Sequence, residues 1–383
     1  MIYFDCAATS LQKPKGVAAA VSYAINNFAS PGRGSHRPAM DAADCVLNCR
    51  LLLAKYFNVN EVENIVFTFN ATHALNIAIS SLVEAGDKVV ISGYEHNAVL
   101  RPLVAKRAEI CVARAPLFDR EASFEAFKKA LPGAKCAICN HVSNVFGFIQ
   151  PISEISMLCL EYGVPLIIDA SQSAGVIPID FSDLNAAFIA MPGHKGLLGP
   201  QGTGVLLCNS GVKPVLYGGT GSDSLSREMP SFLPDSLEAG THNVACIAGL
   251  SEGLKHLMAR AEGAVLNHEQ HLRKCFVDRI SHIDTLTIYN NKDRNCQSGV
   301  ISIVSRNPTC EQLAEELGKY GVCVRSGLHC APLAHQTVDT VESGTVRFSF
   351  SPFNTIKDVF EATDMLKKIL KAAHKANYVC HFL

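Results

Sequence analysis

The sequence predicts an α/β fold in which helices cover both faces of a mainly parallel sheet, followed by a smaller α+β unit. Between residues 63 and 208, helical patterns lie between several of seven short apolar segments. Several of these segments are apolar nearly throughout, as expected of strands buried on both faces. Such alternation is typical of a parallel sheet, whose ligands bind at the carboxyl ends of the strands. The predicted strands are residues 65–69, 88–92, 110–114, 136–140, 165–169, 186–190 and 204–208.

The chain after residue 208 predicts the second unit. A stretch rich in Gly, Ser and Pro, from Gly218 to Pro234, is either a functional loop or an exposed connection. Long helical patterns follow at residues 244–260 and 263–281. The last hundred residues combine predicted strands near 285–289, 299–304 and 345–349 with predicted helices near 310–319 and 356–373. Cys380 and His381 could ligate a metal, but a frayed terminus is the favoured interpretation, and we predict no metal site.

Composition and charge exclude several classes of protein. The 383 residues carry a net charge of −1, which argues against broad binding to nucleic acid or to anionic membranes. The 15 cysteines are scattered without zinc-finger spacing, so we expect them to be reduced and mostly buried. The first residues do not resemble a secretory signal, and no apolar run is long enough to span a bilayer. We therefore expect a cytoplasmic protein.

A lysine lies in a glycine-rich turn after one of the apolar segments. The stretch Met191-Pro-Gly-His-Lys-Gly-Leu-Leu-Gly-Pro200 contains Lys195, and Asp169 lies upstream at the end of another predicted strand. Pyridoxal phosphate requires such a pair, because a lysine amine forms a Schiff base with its aldehyde and a carboxylate holds its ring nitrogen protonated. A solvated loop lysine is the ordinary alternative for Lys195 alone, and a helix N-cap is the alternative for Asp169.

Other polar residues follow predicted strands in the same way. Backbone N–H groups and the Thr72 hydroxyl could hold a phosphate at a helix start, although plain capping by Asn70 or Thr72 is the ordinary alternative. His96 could stack on a cofactor ring or simply begin a helix, and Asn144 could reach a ring hydroxyl. Gln172 lies on the same side of its turn as the predicted carboxylate. Consecutive polar strand ends at one edge of a sheet predict a shared site better than capping does.

Two further residues, far along the chain, could carry chemistry. Cys330 lies in a Gly-containing loop with Arg325 and His329, and nearby cations lower a thiol pKa and favour the nucleophilic thiolate. Core packing is the ordinary alternative for one cysteine among 15. Arg347 lies within an apolar strand, where a buried charge needs a partner. A carboxylate ligand and a structural ion pair with Asp or Glu are both open for this arginine.

Together these residues resemble the pyridoxal-phosphate-dependent cysteine desulfurases of aminotransferase class V, which have the fold-type I architecture. The resemblance runs from Tyr3-Phe-Asp-Cys-Ala-Ala-Thr9 to Arg347-Phe-Ser349. The motif Arg325-Ser-Gly-Leu-His-Cys-Ala331 is similar to that of the SufS-like branch, which includes selenocysteine lyases. The resemblance implies a large cofactor-binding domain with a seven-stranded, mainly parallel sheet at residues 15–245. It also implies a smaller α+β domain formed by residues 1–14 and 246–383.

The resemblance implies a role for each site residue. The implied catalytic residues are Lys195, Cys330 and His96. The implied cofactor-binding residues are Ala71, Thr72, His96, Asn144, Asp169, Gln172, His194, Lys195 and Thr241. Thr241 would reach the phosphate in the partner subunit's site, which implies a homodimer. The implied substrate-binding residues are Arg347, His36, Asn144 and Arg325.

The resemblance also implies a reaction. L-cysteine would be converted to L-alanine, leaving a persulfide on Cys330 for a sulfur-acceptor protein. A selenocysteine β-lyase that releases selenium and alanine is the enzymatic alternative. A pyridoxal-phosphate-bound sulfur carrier or binding protein with little turnover is the non-enzymatic alternative.

Two departures from the family pattern concern the phosphate. Pro192 stands where relatives usually have a serine, and Ala71 replaces a residue with a hydroxyl group. A lost hydrogen bond to a charged group is worth roughly 1.5–3 kcal/mol. We therefore expect weaker cofactor binding, or compensation by backbone N–H groups and by His194, Thr72 and Thr241.

Overall fold

The computed structural model describes residues 1–32 and 34–380, with side chains as far as residue 374. The strands are β1 Ile2–Tyr3, β2 Ile65–Thr68, β3 Lys88–Ser92, β4 Glu109–Ala113, β5 Cys136–Asn140, β6 Leu166–Asp169, β7 Phe188–Pro192, β8 Gly204–Cys208, β9 Leu286–Tyr289, β10 Val300–Ser305, β11 Val322–Cys323, β12 Arg325–Gly327 and β13 Thr345–Ser349. The helices are α1 Lys15–Asn27, α2 Arg37–Phe57, α3 Ala71–Leu82, α4 Asn97–Ala105, α5 Arg120–Ala130, α6 Ile152–Glu161, α7 Val244–Met258, α8 Ala264–Ile280, α9 Cys310–Lys319, α10 Pro332–Val338 and α11 Ile356–Cys380. His381 lies outside the described residues, as does the side chain of Cys380.

Seven strands form the central sheet, in the order β2-β8-β7-β6-β5-β3-β4. Neighbouring strands from β7 to β4 are parallel, whereas β8 runs antiparallel to both β2 and β7. The predicted mainly parallel sheet is confirmed, and each predicted strand lies within two residues of its observed bounds. The antiparallel direction of β8 could not be read from its apolar sequence, because buried strands of either direction look alike.

The inner strands are buried along their length because apolar clusters cover both faces of the sheet. One cluster contains Leu75 and Ile79 of α3, and the other contains Ile155 of α6. Cys136 and Cys139 have the spacing of a CxxC pair, but they belong to different clusters on opposite faces of β5. Successive side chains of a strand point to opposite faces of the sheet, so two cysteines three residues apart lie on different faces. These two thiols therefore pack in the core and do not pair with each other.

The carboxyl-terminal part of the chain forms the predicted α+β unit. Its antiparallel sheet has the order β12-β13-β10-β9, and α8, α9 and α11 pack against it. Phe276 and Phe348 lie in its core with ring centroids 4.5 Å apart. The amino terminus joins the same unit, because β1 pairs in parallel with β11 and Phe4 belongs to this core.

The segment that links the two units is α7. Its residues Leu250, Leu254 and Leu257 pack in a cluster of the large sheet rather than in the core of the smaller unit. The division of the chain at residues 245 and 246 falls in the first turn of this helix and stays a prediction. Among the described helices, none is long and apolar enough to cross a membrane.

Several elements were not predicted from the sequence, among them α1, α2, α4, α10 and β12. The α2 helix carries readable signals, because Pro38 stands at its second position and Asn58 ends it in the left-handed conformation. The two-residue strands β1 and β11 carry no such signal, since they are too short to show periodicity.

Candidate active site

The carboxyl ends of three neighbouring strands open into one cavity. Asn140 ends β5, Asp169 ends β6 and Pro192 ends β7. The cavity is lined by Asn70, Ala71, Thr72, His96, Ala98, Asn140, Val142, Asn144, Asp169, Ser171, Gln172, Pro192, His194 and Lys195. The fold therefore brings together, at the edge of the sheet where ligands of parallel sheets bind, eight of the residues predicted to hold a cofactor.

The amine of Lys195 is tuned toward its neutral form. Burial lowers its pKa from 10.5 to about 8, and Arg347 acts in the same direction, whereas Asp169 opposes the shift. Moving an ammonium group out of water disfavours the charged state, and the nearby carboxylate only partly compensates. A fraction of this amine is therefore unprotonated near neutral pH, as attack on a carbonyl or removal of a proton requires.

The turn that carries Lys195 is held by residues 5–13, which we call the amino-terminal strap. The hydroxyl of Ser10 donates to the carbonyl oxygens of His194 and Lys195 at 2.9 and 3.1 Å. The amine of Lys13 donates to the same His194 oxygen at 3.2 Å, and Thr9 also contacts it. The backbone of the turn is thus fixed by side chains from the opposite end of the chain.

Close packing also fixes this turn from the other side. A Cβ added at Gly193 would lie 2.1 Å from the hydroxyl oxygen of Thr203, so any other residue would displace the start of the turn. Gly193 donates its backbone N–H to the Thr203 carbonyl at 2.8 Å. The glycine in the predicted motif therefore serves the close approach of two backbone segments.

Asp169 is 5% exposed, and its Oδ1 accepts the backbone N–H of Ser171 at 2.9 Å. Its charge raises the pKa values of both Lys195 and His96, which places the carboxylate within electrostatic range of both. The Gln172 amide donates to the Ala7 carbonyl at 2.9 Å. This amide thus ties the strap to the cavity wall.

His96 is the N-cap of α4, which agrees with the ordinary interpretation of a histidine at a helix start. It also lines the cavity. Its Nδ1 accepts the N–H of Ala98 at 3.0 Å, so the proton of the neutral ring lies on Nε2. Burial lowers its pKa, whereas Asp169 raises it and Lys195 lowers it. The ring is therefore a neutral imidazole with a defined tautomer.

The amino terminus of α3 forms one end of the cavity. Asn70 caps the helix, its side chain accepting the N–H of His73 at 2.9 Å, so the capping interpretation holds for this residue. The N–H groups of Ala71 and Thr72, in the first turn, have no acceptor within the helix. Burial lowers the pKa of His194 to about 4, with Lys195 and Lys13 adding to the effect. A neutral His194 offers an anion no positive charge.

Cys330 is the one exposed cysteine among those whose side chains the structure describes. Its backbone has φ of +55°, and Gly327 in the same loop has φ of +100°. Asn97 donates its N–H to the Cys330 carbonyl at 2.8 Å, and the amide of Asn144 donates to the His329 carbonyl at 2.8 Å. Two hydrogen bonds therefore join this loop to the cavity rim, and the thiol itself stays accessible.

The predicted activation of this thiol by its basic neighbours is wrong for His329. Burial lowers the pKa of His329 to about 2, and the charge of Arg347 adds to the shift. Its Nε2 lies 3.0 Å from the hydroxyl of Thr345. A buried neutral imidazole offers no cationic field, and sequence proximity alone could not distinguish it from a charged one.

Arg347 is 2% exposed and has the structural ion pair that the sequence left open. Its Nη2 donates to Asp5 Oδ1 at 2.8 Å, and its Nη1 donates to the Asn144 carbonyl at 3.0 Å. Arg325 also binds Asp5. The Nε of Arg347 is buried and has no partner among the described residues. The guanidinium therefore has both a structural partner and remaining donors for a ligand.

Five predicted site residues are not part of the cavity lining: Arg325, Cys330 and Arg347, described above, and His36 and Thr241. His36 is exposed at the start of α2, and Thr241 is exposed shortly before α7. Neither belongs to the residues that line the cavity in the described part of the chain. Their roles in the site stay predictions.

Sequence reasoning missed two acidic residues of the site. Asp5 lies shortly after strand β1. Its position after a short apolar run is only a weak sequence signal for an acidic residue at the end of a strand. Glu95 is fully buried beside His96, and burial raises its pKa to about 8. Its Oε1 accepts the hydroxyl of Ser92 at 2.5 Å and the N–H of Asn140 at 2.7 Å. Glu95 therefore joins the ends of two strands of the sheet.

Comparison with known proteins agrees with this architecture. The family model of class-V aminotransferases matches residues 2–361. The chain is 30% identical to a probable cysteine desulfurase of Pyrococcus abyssi, over 97% of this chain and 95% of the relative, and 31% identical to one of Vibrio cholerae, over 98% and 93%. The apo structure of a cysteine desulfurase from Thermococcus onnurineus superposes with a TM-score of 0.90 at 28% identity, covering 97% of this chain and 95% of that one. The chain thus belongs to the class-V aminotransferase family, whose members are pyridoxal-phosphate enzymes.

Proposed function

We propose that this protein is a pyridoxal-phosphate-dependent cysteine desulfurase that converts L-cysteine to L-alanine and passes the sulfur to an acceptor. The observation that carries the proposal is the position of Cys330, an exposed thiol hydrogen-bonded through its backbone to the rim of the Lys195 cavity. A transaminase requires no thiol there. The relatives named probable cysteine desulfurases support the same activity.

The residues of the cavity fit pyridoxal phosphate. Lys195 has a neutral fraction of amine for its aldehyde, Asp169 is a buried carboxylate for its ring nitrogen, and the first turn of α3 offers N–H groups for its phosphate. The Asn144 Oδ1 is buried and accepts no hydrogen bond from the described residues. A bound ligand would supply the donor that this oxygen needs. When bound, the cofactor would supply an aldehyde that reacts with amines and a ring that accepts electrons.

The remaining cavity residues would orient the cofactor. His96 would lie against its ring, and Gln172 would contact its phenolic oxygen. Ala71, Thr72 and His194 would hold the phosphate, with Thr241 supplied by a second copy of the chain. Because His194 is neutral, the phosphate would depend on the helix N-terminus and on neutral donors.

The substrate would be held at its carboxylate. Arg347 would bind the α-carboxylate of L-cysteine with its remaining donors, assisted by Asn144, while Arg325 would hold the Asp5 carboxylate beside it. His36 would close the site from the loop before α2. A substrate held in this way is positioned between the buried amine and the exposed thiol.

Two side chains would then perform the chemistry. Lys195 Nζ takes the proton from the α-carbon, which its lowered pKa permits near neutral pH. The Cys330 thiolate attacks the substrate sulfur, an S–S bond forms and the C–S bond breaks, and its electron pair stays with carbon. Protonation of that β-carbon, for which His96 Nε2 is a donor in the cavity, and return of the proton from Lys195 Nζ to the α-carbon complete L-alanine and leave Cys330 as a persulfide.

The decisive experiment replaces the thiol. Cys330→Ala should abolish alanine and sulfide release from L-cysteine in the presence of a thiol reductant. Cys323→Ala, a half-buried cysteine in β11, is the matched control and should retain activity. Full sulfur release by Cys330→Ala would contradict the proposal. The relatives reported above are named for cysteine, so selenocysteine β-lyase activity stays an untested alternative.

The proposed assembly is a homodimer in the cytoplasm. Large apolar side chains are exposed on α1 and α2, namely Tyr23, Ile25, Met40, Leu47 and Leu51. Exposed large apolar side chains on these two helices support a protein interface, and light scattering during gel filtration tests it. The reduced state of the described cysteines is compatible with a reducing compartment.

A further inference from the structure

One carboxylate, that of Asp5, is shared by the two arginines of the site. Its Oδ1 accepts Arg347 Nη2 at 2.8 Å, and its Oδ2 accepts Arg325 Nε at 3.0 Å and Arg325 Nη2 at 2.9 Å. Strand pairing makes this possible, because Arg325 of β12 lies directly opposite Arg347 of β13. The two guanidinium groups therefore lie within a few hydrogen-bond lengths of each other.

The cluster carries one more positive than negative charge. Asp5 and Arg347 are buried, whereas the Arg325 side chain is 52% exposed. Arg347 keeps a buried Nε without a partner among the described residues, which marks a place for an additional acceptor. A single carboxylate bound at Arg347 would balance the charge of the cluster. A second carboxylate nearby would meet the negative charge of Asp5.

We propose that Asp5 is a specificity-determining residue: it occupies Arg325, so that the subsite at Arg347 accepts one carboxylate and disfavours a second. This inference rests on one part of the proposed function, namely that Arg347 binds the substrate carboxylate. L-cysteine has one carboxylate and completes the charge balance. Without the charge of Asp5, Arg325 would be free to bind the second carboxylate of a dicarboxylate ligand.

The test compares propionate and succinate, which carry one and two carboxylates and cannot react with the cofactor. Their dissociation constants are measured by calorimetry on the cofactor-loaded protein, so the readout requires no turnover. The wild-type protein should bind succinate at most about twofold more tightly than propionate. A factor of two is expected because either of the two equivalent carboxylates of succinate can occupy the subsite. In Asp5→Asn the preference for succinate should grow by about tenfold or more, since Arg325 gains an unopposed charge. The double variant Asp5→Asn with Arg325→Gln should lose that gain.

An unchanged ratio in a folded Asp5→Asn protein overturns the proposal, as does a gain that survives in the double variant. If Asp5→Asn does not fold, Arg325→Gln alone decides. The Asp5 charge then faces Arg347 without a second cation, so both ligands should bind about tenfold more weakly. Unchanged binding in Arg325→Gln overturns the proposal. Alanine formation from L-cysteine is measured on the same wild-type sample, and its absence would reject the desulfurase activity while leaving a shift in ligand ratio intact.

Discussion

The Lys195 turn lines the cavity and the Cys330 loop is joined to its rim, but the two are held in different ways. The Lys195 turn is packed between Thr203 and the amino-terminal strap, and at least four donors from the strap contact its two carbonyl oxygens. The Cys330 loop is joined to the cavity by two hydrogen bonds, and three of its residues have positive φ. One region is enclosed and the other is open to solvent.

The difference matches two chemical tasks. An amine that must react with an aldehyde and carry a proton benefits from burial, because burial lowers its pKa and fixes its position. A thiol that must accept sulfur and release it to another molecule needs access from outside. The Lys195 turn is therefore rigid and buried, and the Cys330 loop is exposed, as their two tasks require.

The largest expected effect comes from removing the enclosed amine. Lys195→Ala should lower alanine formation from L-cysteine by at least about 10³-fold, because it removes both the covalent attachment and the base. The measurement is the rate of alanine formation at saturating cofactor.

The matched control is Lys13→Met, which removes a second amine whose pKa burial also lowers to about 8. Among the described residues, Lys13 donates hydrogen bonds only to a carbonyl oxygen and a hydroxyl, so this variant should keep its activity within about tenfold of wild type. Equal losses in both variants would mean that the charge of the region, rather than the amine of Lys195, supports the reaction.

The next effect tests the open loop. Gly327→Ala places a side chain at φ of +100°, and no described residue lies within 4 Å of the added Cβ, so the change acts through the backbone alone. It should cost about 1–2 kcal/mol and lower alanine formation about tenfold, because the loop can relax by moving Cys330. Thermal unfolding and activity are measured together.

Gly318→Ala is the control for this change. Its added Cβ likewise meets no described residue within 4 Å, but Gly318 lies in α9 and has an ordinary helical backbone. Alanine favours a helix, so stability should rise by up to about 1 kcal/mol and activity should not change. A loss of activity in both variants would show that the loop conformation is not the cause.

The two regions also differ in how far the sequence predicted them. The strands that end at Asn140 and Asp169 are apolar nearly throughout, so their ends followed from the pattern, whereas the strand predicted to end at residue 190 continues to Pro192. The chemistry of Lys195 and Asp169 followed from residue type and from the resemblance.

What the sequence could not predict depends on contacts between distant residues. The charge of His329 depends on its burial and on the charge of Arg347. The pairing of Asp5 with two arginines joins positions about 320 and 342 residues apart. The strap over the Lys195 turn is likewise built from residues more than 180 positions away. No periodicity encodes such contacts, since they arise only when both units have folded.

A smaller effect tests the strap. Ser10→Ala removes the hydroxyl that contacts the His194 and Lys195 carbonyl oxygens, and it should lower stability by about 1–2 kcal/mol and activity several-fold. Ser22→Ala, an exposed serine on α1, should change stability by less than about 0.5 kcal/mol. Indistinguishable unfolding curves for the two variants would show that the strap does not hold the turn.

The last effect is a change of stability with pH and concerns Glu95, which lies beside His96, between the enclosed region and the Asn97 N–H that holds Cys330. Burial raises its pKa from 4.5 to about 8, so the folded protein retains a proton that the unfolded chain releases. The stability it contributes is present below pH 4.5 and is lost as pH rises toward 8, with a slope of up to about 1.4 kcal/mol per pH unit. Glu95→Gln removes this loss, so its free energy of unfolding should rise relative to wild type between about pH 5 and pH 8 in urea titrations. If the amide itself changes stability by a fixed amount, the difference in unfolding free energy shifts at every pH but keeps its slope against pH. Glu161→Gln, at an exposed position on α6, is the control. A slope for Glu95→Gln no greater than that of the control would show that Glu95 is ionised in the folded protein.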